Sequence, residues 1–136
     1  MNIEEIYTDL ILDLFKNPLN KKKISNPDST HKDSNRFCGD VIEIQLKFEK
    51  GKIKEIGFQG DGCAISQASA SILTEMAKNK KIEDALKINI NDVLKELHLE
   101  KLKKNPVRIK CALLPTKVFK IALLNYIGKN LKNRKI

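Results

Sequence analysis

The sequence predicts an α+β fold, a small antiparallel sheet packed against several helices. Two observations carry this. Residues 41 to 59 alternate apolar and polar side chains on either side of "EKGK", the pattern of a half-buried antiparallel hairpin. The stretches before residue 17 and after residue 63 repeat their apolar residues at helical spacing instead. A chain of 136 residues with 41% hydrophobic residues has room for one core, so one domain is expected over residues 1 to 136.

The elements follow in order. Ile3, Ile6, Tyr7, Leu10, Ile11 and Leu14 mark one amphipathic helix over residues 3 to 16, stopped by Asn17-Pro18. Residues 17 to 36 are polar and read as a loop with at most a short irregular strand. Over residues 41 to 49, Ile42, Ile44, Leu46 and Phe48 face one way, with Gly51 turning the chain. In the second strand, residues 52 to 59, Ile53 and Ile56 cannot share a face without an extra residue, so a bulge is expected near Lys54-Glu55. Gly60 and Gly62 permit a sharp turn into a helix whose stripe is Ala64, Ile65, Ala68, Ser69, Ile72, Leu73, Met76 and Ala77. "KIEDALKI" and "NINDVLKELHL" read as two short helices. The last helix follows "KKNP" and carries Val118, Phe119, Ala122, Leu123, Tyr126 and Ile127 on its apolar face. Proline is tolerated only in a first turn, so Pro115 implies that this helix begins no earlier than about Ala112. The basic tail is expected to fray.

Charge and composition exclude several classes. The net charge is +9, but only Arg36, Arg108 and Arg134 are arginines, and there is no Trp. Arginine reads phosphates and bases in bidentate fashion, and aromatics stack on bases. The charge is therefore read as a solvated lysine surface or a face for an acidic protein, and a nucleic-acid partner is not expected. No apolar run approaches the ~18 residues of a membrane span, and Glu4, Glu5, Asp9 and Asp13 fit neither an export signal nor a transit peptide, so no membrane partner and a cytoplasmic location are expected. Ser66, Ser69 and Ser71 have no histidine at a useful spacing for nucleophilic catalysis. Gly57, Gly60 and Gly62 lack the lysine and hydroxyl of a phosphate loop. His98 is expected at the surface, and His31 in a loop from which it could swing toward Cys38.

The three cysteines carry the functional signal. Cys38, Cys63 and Cys111 are an odd number in a chain without an export signal, which is not a disulfide framework. Each falls at a junction: Cys38 before the first strand, Cys63 opening a helix, Cys111 just before the last helix. Buried inert cysteines would be expected inside elements. Helix N-termini, together with Arg36 and Lys110 alongside, would lower thiol pKa values, as metal binding and sulfur chemistry both require. The separations of 25 and 48 residues match no zinc-finger spacing. Three thiolates leave a tetrahedral site one ligand short; Asp40, two residues from Cys38 across Gly39, is the candidate fourth.

"CGDVIEIQLKFEKGKIKEIGFQGDGCAISQASAS" followed by "RIKCALL" resembles the U-type iron–sulfur cluster assembly proteins, the family of IscU, SufU and the N-terminal domain of NifU. The resemblance covers residues 3 to 127. It implies a three-stranded antiparallel sheet with the thiols at one exposed end. It implies metal ligands Cys38, Asp40, Cys63 and Cys111, with Gly39 and Gly62 supporting them, and zinc, iron or a transient [2Fe-2S] cluster as cofactor. It implies a cysteine desulfurase and recipient apo-proteins as partners. Lys110 before the third cysteine and "GCAIS" are SufU-like, whereas the 48 residues between Cys63 and Cys111 leave no room for the usual SufU insertion. The family usually has Ala where this chain has Pro115. The expected function is a scaffold and sulfur acceptor rather than a turnover enzyme, with Cys111 taking sulfur and Lys110 holding its thiolate or persulfide by charge. A zinc-dependent sulfurtransferase that only shuttles persulfide is the near alternative. A basic nucleic-acid-binding domain with a structural zinc is the remote one.

Overall fold

A computed structural model describes residues 2–36 and 38–134. Its order is α1 (Ile3–Ile6), α2 (Asp9–Lys16), β1 (Ser29–Asn35), β2 (Asp40–Glu49), β3 (Lys52–Gln59), α3 (Ala64–Ala77), α4 (Ile82–Ala85), α5 (Ile90–Glu96), a 3₁₀ turn at Glu100–Lys104, and α6 (Arg108–Arg134). The three strands form one antiparallel sheet in the order β1-β2-β3. The α+β class and the three-stranded sheet are as expected.

The hairpin follows its alternation. Ile42, Ile44 and Leu46 are fully buried against the helices, and Phe48 stacks on Tyr126 of α6 with ring centroids 3.8 Å apart. Lys47 pairs with Glu55 and Phe48 with Ile53, so Lys54 is the extra residue of the expected bulge. The opposite sheet face is crossed by residues 20–24. The Ile24 N–H donates to Gln45 Oε1 at 2.9 Å, which buries a glutamine on the nominally wet face.

Four expectations are corrected. The polar stretch Ser29–Asn35 is a full strand, paired along its length with β2. It holds little strand propensity of its own and is anchored by α6: Ser29 Oγ donates to the Ala122 carbonyl at 2.7 Å, and Lys117 meets Asp33 at 3.1 Å. The single N-terminal helix is two, because Thr8 turns the chain and caps α2 with its hydroxyl, which accepts from the Ile11 N–H. α3 is buried nearly all round over its first half, not along one stripe. Packed against α2 on one side and α6 and β3 on another, it uses its polar residues to fix residues 19–21. Gln67 accepts from Lys21 Nζ at 2.8 Å, Ser71 from the Leu19 N–H at 3.1 Å, and Thr74 from Asn20 Nδ2 at 3.1 Å.

The fourth correction concerns α6, which begins at Arg108 rather than near Ala112 and contains Pro115. Asn105 is its cap: Oδ1 accepts from the N–H groups of Val107 (3.2 Å) and Arg108 (3.0 Å). Pro106 then sits at the first helical position, where its missing N–H costs nothing. The basic tail, expected to fray, continues this helix through Arg134. By length and composition, residues Arg108–Lys132 reach what a membrane span needs, contrary to the expectation of no such run. Here Val118, Phe119, Ala122 and Leu123 of that stretch are fully buried in the core.

Candidate metal and sulfur site

Three distant segments meet at the end of the sheet where β2 begins. The first is the turn from β1 into β2. The N–H groups of Cys38 and Gly39 both donate to the Asn35 carbonyl, at 3.3 and 2.9 Å, and Gly39 has φ +68°, a conformation that glycine adopts without strain. The turn leaves Cys38 half-buried and delivers Asp40, fully buried, as the first residue of β2.

The second segment is the turn that follows β3. A Cβ on Gly62 would lie 2.5 Å from Asp40 Oδ1 and 2.5 Å from Ser66 Oγ, so only glycine lets the carboxylate come this close. Cys63 is the N-cap residue of α3. Its backbone N–H donates to Asp40 Oδ1 at 2.8 Å, and its Sγ lies 4.0 Å from Asp40 Oδ2. Asp40 thereby holds two of the segments together.

The third segment is the start of α6. Cys111 is inside the helix and 1% exposed, not ahead of it as expected, because Asn105 starts the helix early. Its Sγ is 2.7 Å from Cys38 Sγ, and Asn35 Nδ2 approaches the same sulfur at 4.0 Å. The three cysteines are free thiols. The ligand atoms of Cys38, Asp40 and Cys111 all lie within 4.8 Å of one another. Cys63 is not part of that group and adjoins it through Asp40, while its thiol and that of Cys111 influence one another's ionisation.

The expected lowering of thiol pKa holds at Cys63 and reverses at Cys111. The hydrogen bond from Cys111 stabilises the Cys63 thiolate, and the N–H groups of Ser66 and Ile65 at the helix start add to it, bringing Cys63 to about 6 against burial and the Asp40 charge. Cys111 is pushed up, first by Cys63, then by burial and Cys38. The two sulfurs act as one unit: the first proton leaves easily and the second is retained.

The supporting residues divide. Gly39 and Gly62 stand in the site as just described. Arg36 and Lys110 are exposed and line, with Asn35, Leu113 and Lys117, an open cavity of about 420 Å³ beside the thiols. His31 is held in β1 opposite Ile44, and His98 is exposed beyond α5. Asn35, not singled out in the sequence, and Ser66, weighed there only as a nucleophile, stand beside the thiols. Their signals are positional, Asn35 ending the strand before the cysteine turn and Ser66 three residues into the helix that Cys63 caps.

The donor set fits a thiophilic cation. Two sulfurs and one carboxylate within reach of one another, with a third thiol beside the carboxylate, are a sulfur and oxygen donor set of the kind zinc and iron accept.

Residues 6–133 match the family model described as NifU-like N terminal domain. The chain belongs to this family. It is 39% identical over 132 residues to "Iron-sulfur cluster assembly scaffold protein IscU 1" of Archaeoglobus fulgidus, covering 96% of this chain and 83% of the relative. It is 35% identical over 144 residues to "Zinc-dependent sulfurtransferase SufU" of Bacillus subtilis, covering 95% and 97%. Among solved structures, it superposes with a TM-score of 0.80 on a putative iron–sulfur cluster assembly scaffold protein for the SUF system from Fervidobacterium islandicum, at 32% identity, covering 90% of this chain and 99% of that one. The resemblance drawn from the "CGD", "GDGCAIS" and "RIKC" segments is therefore borne out.

Proposed function

We propose that this chain is an iron–sulfur cluster assembly factor that accepts sulfur from a cysteine desulfurase, holds iron or a nascent cluster as cargo, and delivers it to recipient proteins. The observation that supports this is the meeting of three free thiols and one buried carboxylate at one end of the sheet. Cys38, Asp40, Cys63 and Cys111 would hold the metal. Zinc bound there would keep the thiols together as thiolates and shield them from oxidation.

Cys111 is the sulfur acceptor in this reading. Its sulfur attacks the terminal sulfur of the donor's persulfide. A new S–S bond forms on Cys111, the donor's S–S bond breaks, and the donor leaves as a thiolate. The Cys111 proton passes to the Cys63 thiolate, whose ionisation is favoured. Arg36, Lys110 and Lys117 line the open cavity beside the thiols and give the incoming anion a cationic approach.

The second reading is a zinc-dependent sulfurtransferase that passes persulfide and never builds a cluster. Lys110 before Cys111 and the similarity to the Bacillus subtilis protein favour it. Elemental analysis of protein purified without air, with an absorption spectrum, separates the two. Brown protein with iron and sulfide supports the scaffold; colourless protein with one zinc supports the sulfurtransferase. Protein that holds neither metal nor sulfur, and takes no sulfur from a desulfurase, refutes both.

A further inference from the structure

A sulfur donor has to reach Cys111, yet this residue is 1% exposed and its Sγ lies 2.7 Å from that of Cys38. What releases it is written into α6. In a regular helix the Cys111 carbonyl would accept the N–H of residue 115. That residue is Pro115, which has no N–H and whose ring crowds the same carbonyl. This is not the tolerated first-turn proline. Asn105 caps the helix, its carbonyl accepting from the Ile109 N–H at 3.0 Å, so Pro115 lies more than two turns inside.

Two further features loosen the same stretch. Thr116, the next residue, is 8% exposed, and among the described residues its hydroxyl is buried with no hydrogen-bond partner. A buried hydroxyl without a partner weakens the packed state. On the other side of Cys111, the Lys110 N–H takes a long 3₁₀-type bond of 3.3 Å to the Val107 carbonyl. Cys111, Ala112 and Leu114 are themselves packed at 1%, 0% and 5% exposure, so the weakness of this stretch lies in its hydrogen bonding and not in its packing; beyond Thr116, Val118, Phe119, Ala122 and Leu123 are at 0%. The weak stretch therefore begins and ends around the cysteine.

We propose that Pro115 is a positioning residue for Cys111: it removes the hydrogen bond that would pin the cysteine's own carbonyl, so the first turns of α6 open and present the thiol while the rest of the helix stays docked. The proposal rests on the reading of Cys111 as sulfur acceptor.

The test uses the full chain, metal-free and under native conditions. Each cysteine is alkylated with iodoacetamide and the rates are read by mass spectrometry. Pro115→Ala restores the missing N–H and is expected to slow alkylation of Cys111 at least tenfold relative to Cys63 in the same molecule. An unchanged or increased ratio overturns the proposal. Hydrogen exchange gives a second readout. In the native chain the amides of residues 112–114 and 116 should exchange faster than those of 118–123, and Pro115→Ala should protect the first set while leaving the second unchanged. If both sets slow equally, Pro115 acts on overall stability alone and the proposal falls. Failure of the native chain to take sulfur on Cys111 from a desulfurase refutes the acceptor reading instead, since alkylation reports the opening without any sulfur donor.

Discussion

Asp40 combines two duties that one pair of substitutions can separate. Oδ1 accepts the Cys63 N–H at 2.8 Å and fixes the start of α3; Oδ2 faces the Cys63 sulfur at 4.0 Å and is placed to serve a metal. Asp40→Asn keeps an oxygen for the N–H and removes the anionic ligand. Asp40→Ala removes both and orphans a part-buried donor, at a cost of about 1–3 kcal/mol. A carboxylate is a harder and more weakly held ligand for zinc than a thiolate. Three thiolates should thus retain most of the metal in either variant, while exchange at the fourth position is lost. The expected pattern is as follows. In urea unfolding of metal-free protein, Asp40→Ala loses about 1–3 kcal/mol and Asp40→Asn clearly less. After dialysis against a chelator, both retain zinc better than Cys38→Ser or Cys63→Ser. In transfer of sulfur or cluster to an acceptor, both fail. Loss of zinc from Asp40→Asn as complete as from Cys38→Ser would make Asp40 a structural ligand and refute the exchange argument. Normal transfer by Asp40→Asn would refute any role beyond the turn.

Four further outcomes follow from the geometry and the charges around the thiols. Gly62→Ala forces a Cβ to within 2.5 Å of Asp40 Oδ1, so zinc retention and the unfolding midpoint should both fall; an unchanged zinc content would show that the carboxylate can move aside freely. In metal-free protein, thiolate absorbance should show one ionisation near pH 6, and Cys111→Ala should raise it, because the hydrogen bond from Cys111 is its largest cause. Since the folded pKa of Cys63 lies below its ordinary value of 9.0, its stabilising contribution is complete above pH 9 and is lost as pH falls through 6; urea midpoints that do not rise between pH 6 and 8.5 would contradict this. Lys110→Glu should slow sulfur acceptance more than it weakens zinc binding, because it places an anion beside the approach to Cys111; equal loss of both would point to general damage.

Much of this architecture is legible in the residues. The hairpin and its bulge at Lys54 follow from the parity of Ile53 and Ile56. The placing of Cys63 at a helix N-terminus follows from Gly60 and Gly62, and the gathering of the thiols with Asp40 from the resemblance carried by three short motifs. What was not legible depends on tertiary support. β1 is a strand because β2 and α6 hold it, and its own composition of Ser, His, Lys, Asp and Asn argues otherwise. The burial of Gln67, Ser71 and Thr74 depends on a chain segment 46 to 54 residues away in sequence folding across them. In the sequence Pro115 argues for a later start of α6 than the Asn105-Pro106 cap gives, whereas in the structure packing of the downstream half of the helix outweighs the proline. The first-turn rule for proline fails beside Cys111, a candidate site residue, and functional sites are where local rules are most often broken.

The candidate ligands are also spread through time. A ribosome delivers Cys38, Asp40 and Cys63 first, and Cys111 only 48 residues after Cys63. At ~5–20 residues per second, that interval lasts roughly 2–10 s. During it the sheet can close and Asp40 can engage Cys63, but the last thiol and the helix that shields the others do not yet exist. A nascent chain would therefore expose two reactive thiols beside a carboxylate, a partial chelate open to any soft cation or oxidant nearby. Arrival of α6 brings Cys111 to the other candidate ligands and closes the core in the same event, so the candidate site and the finished fold appear together.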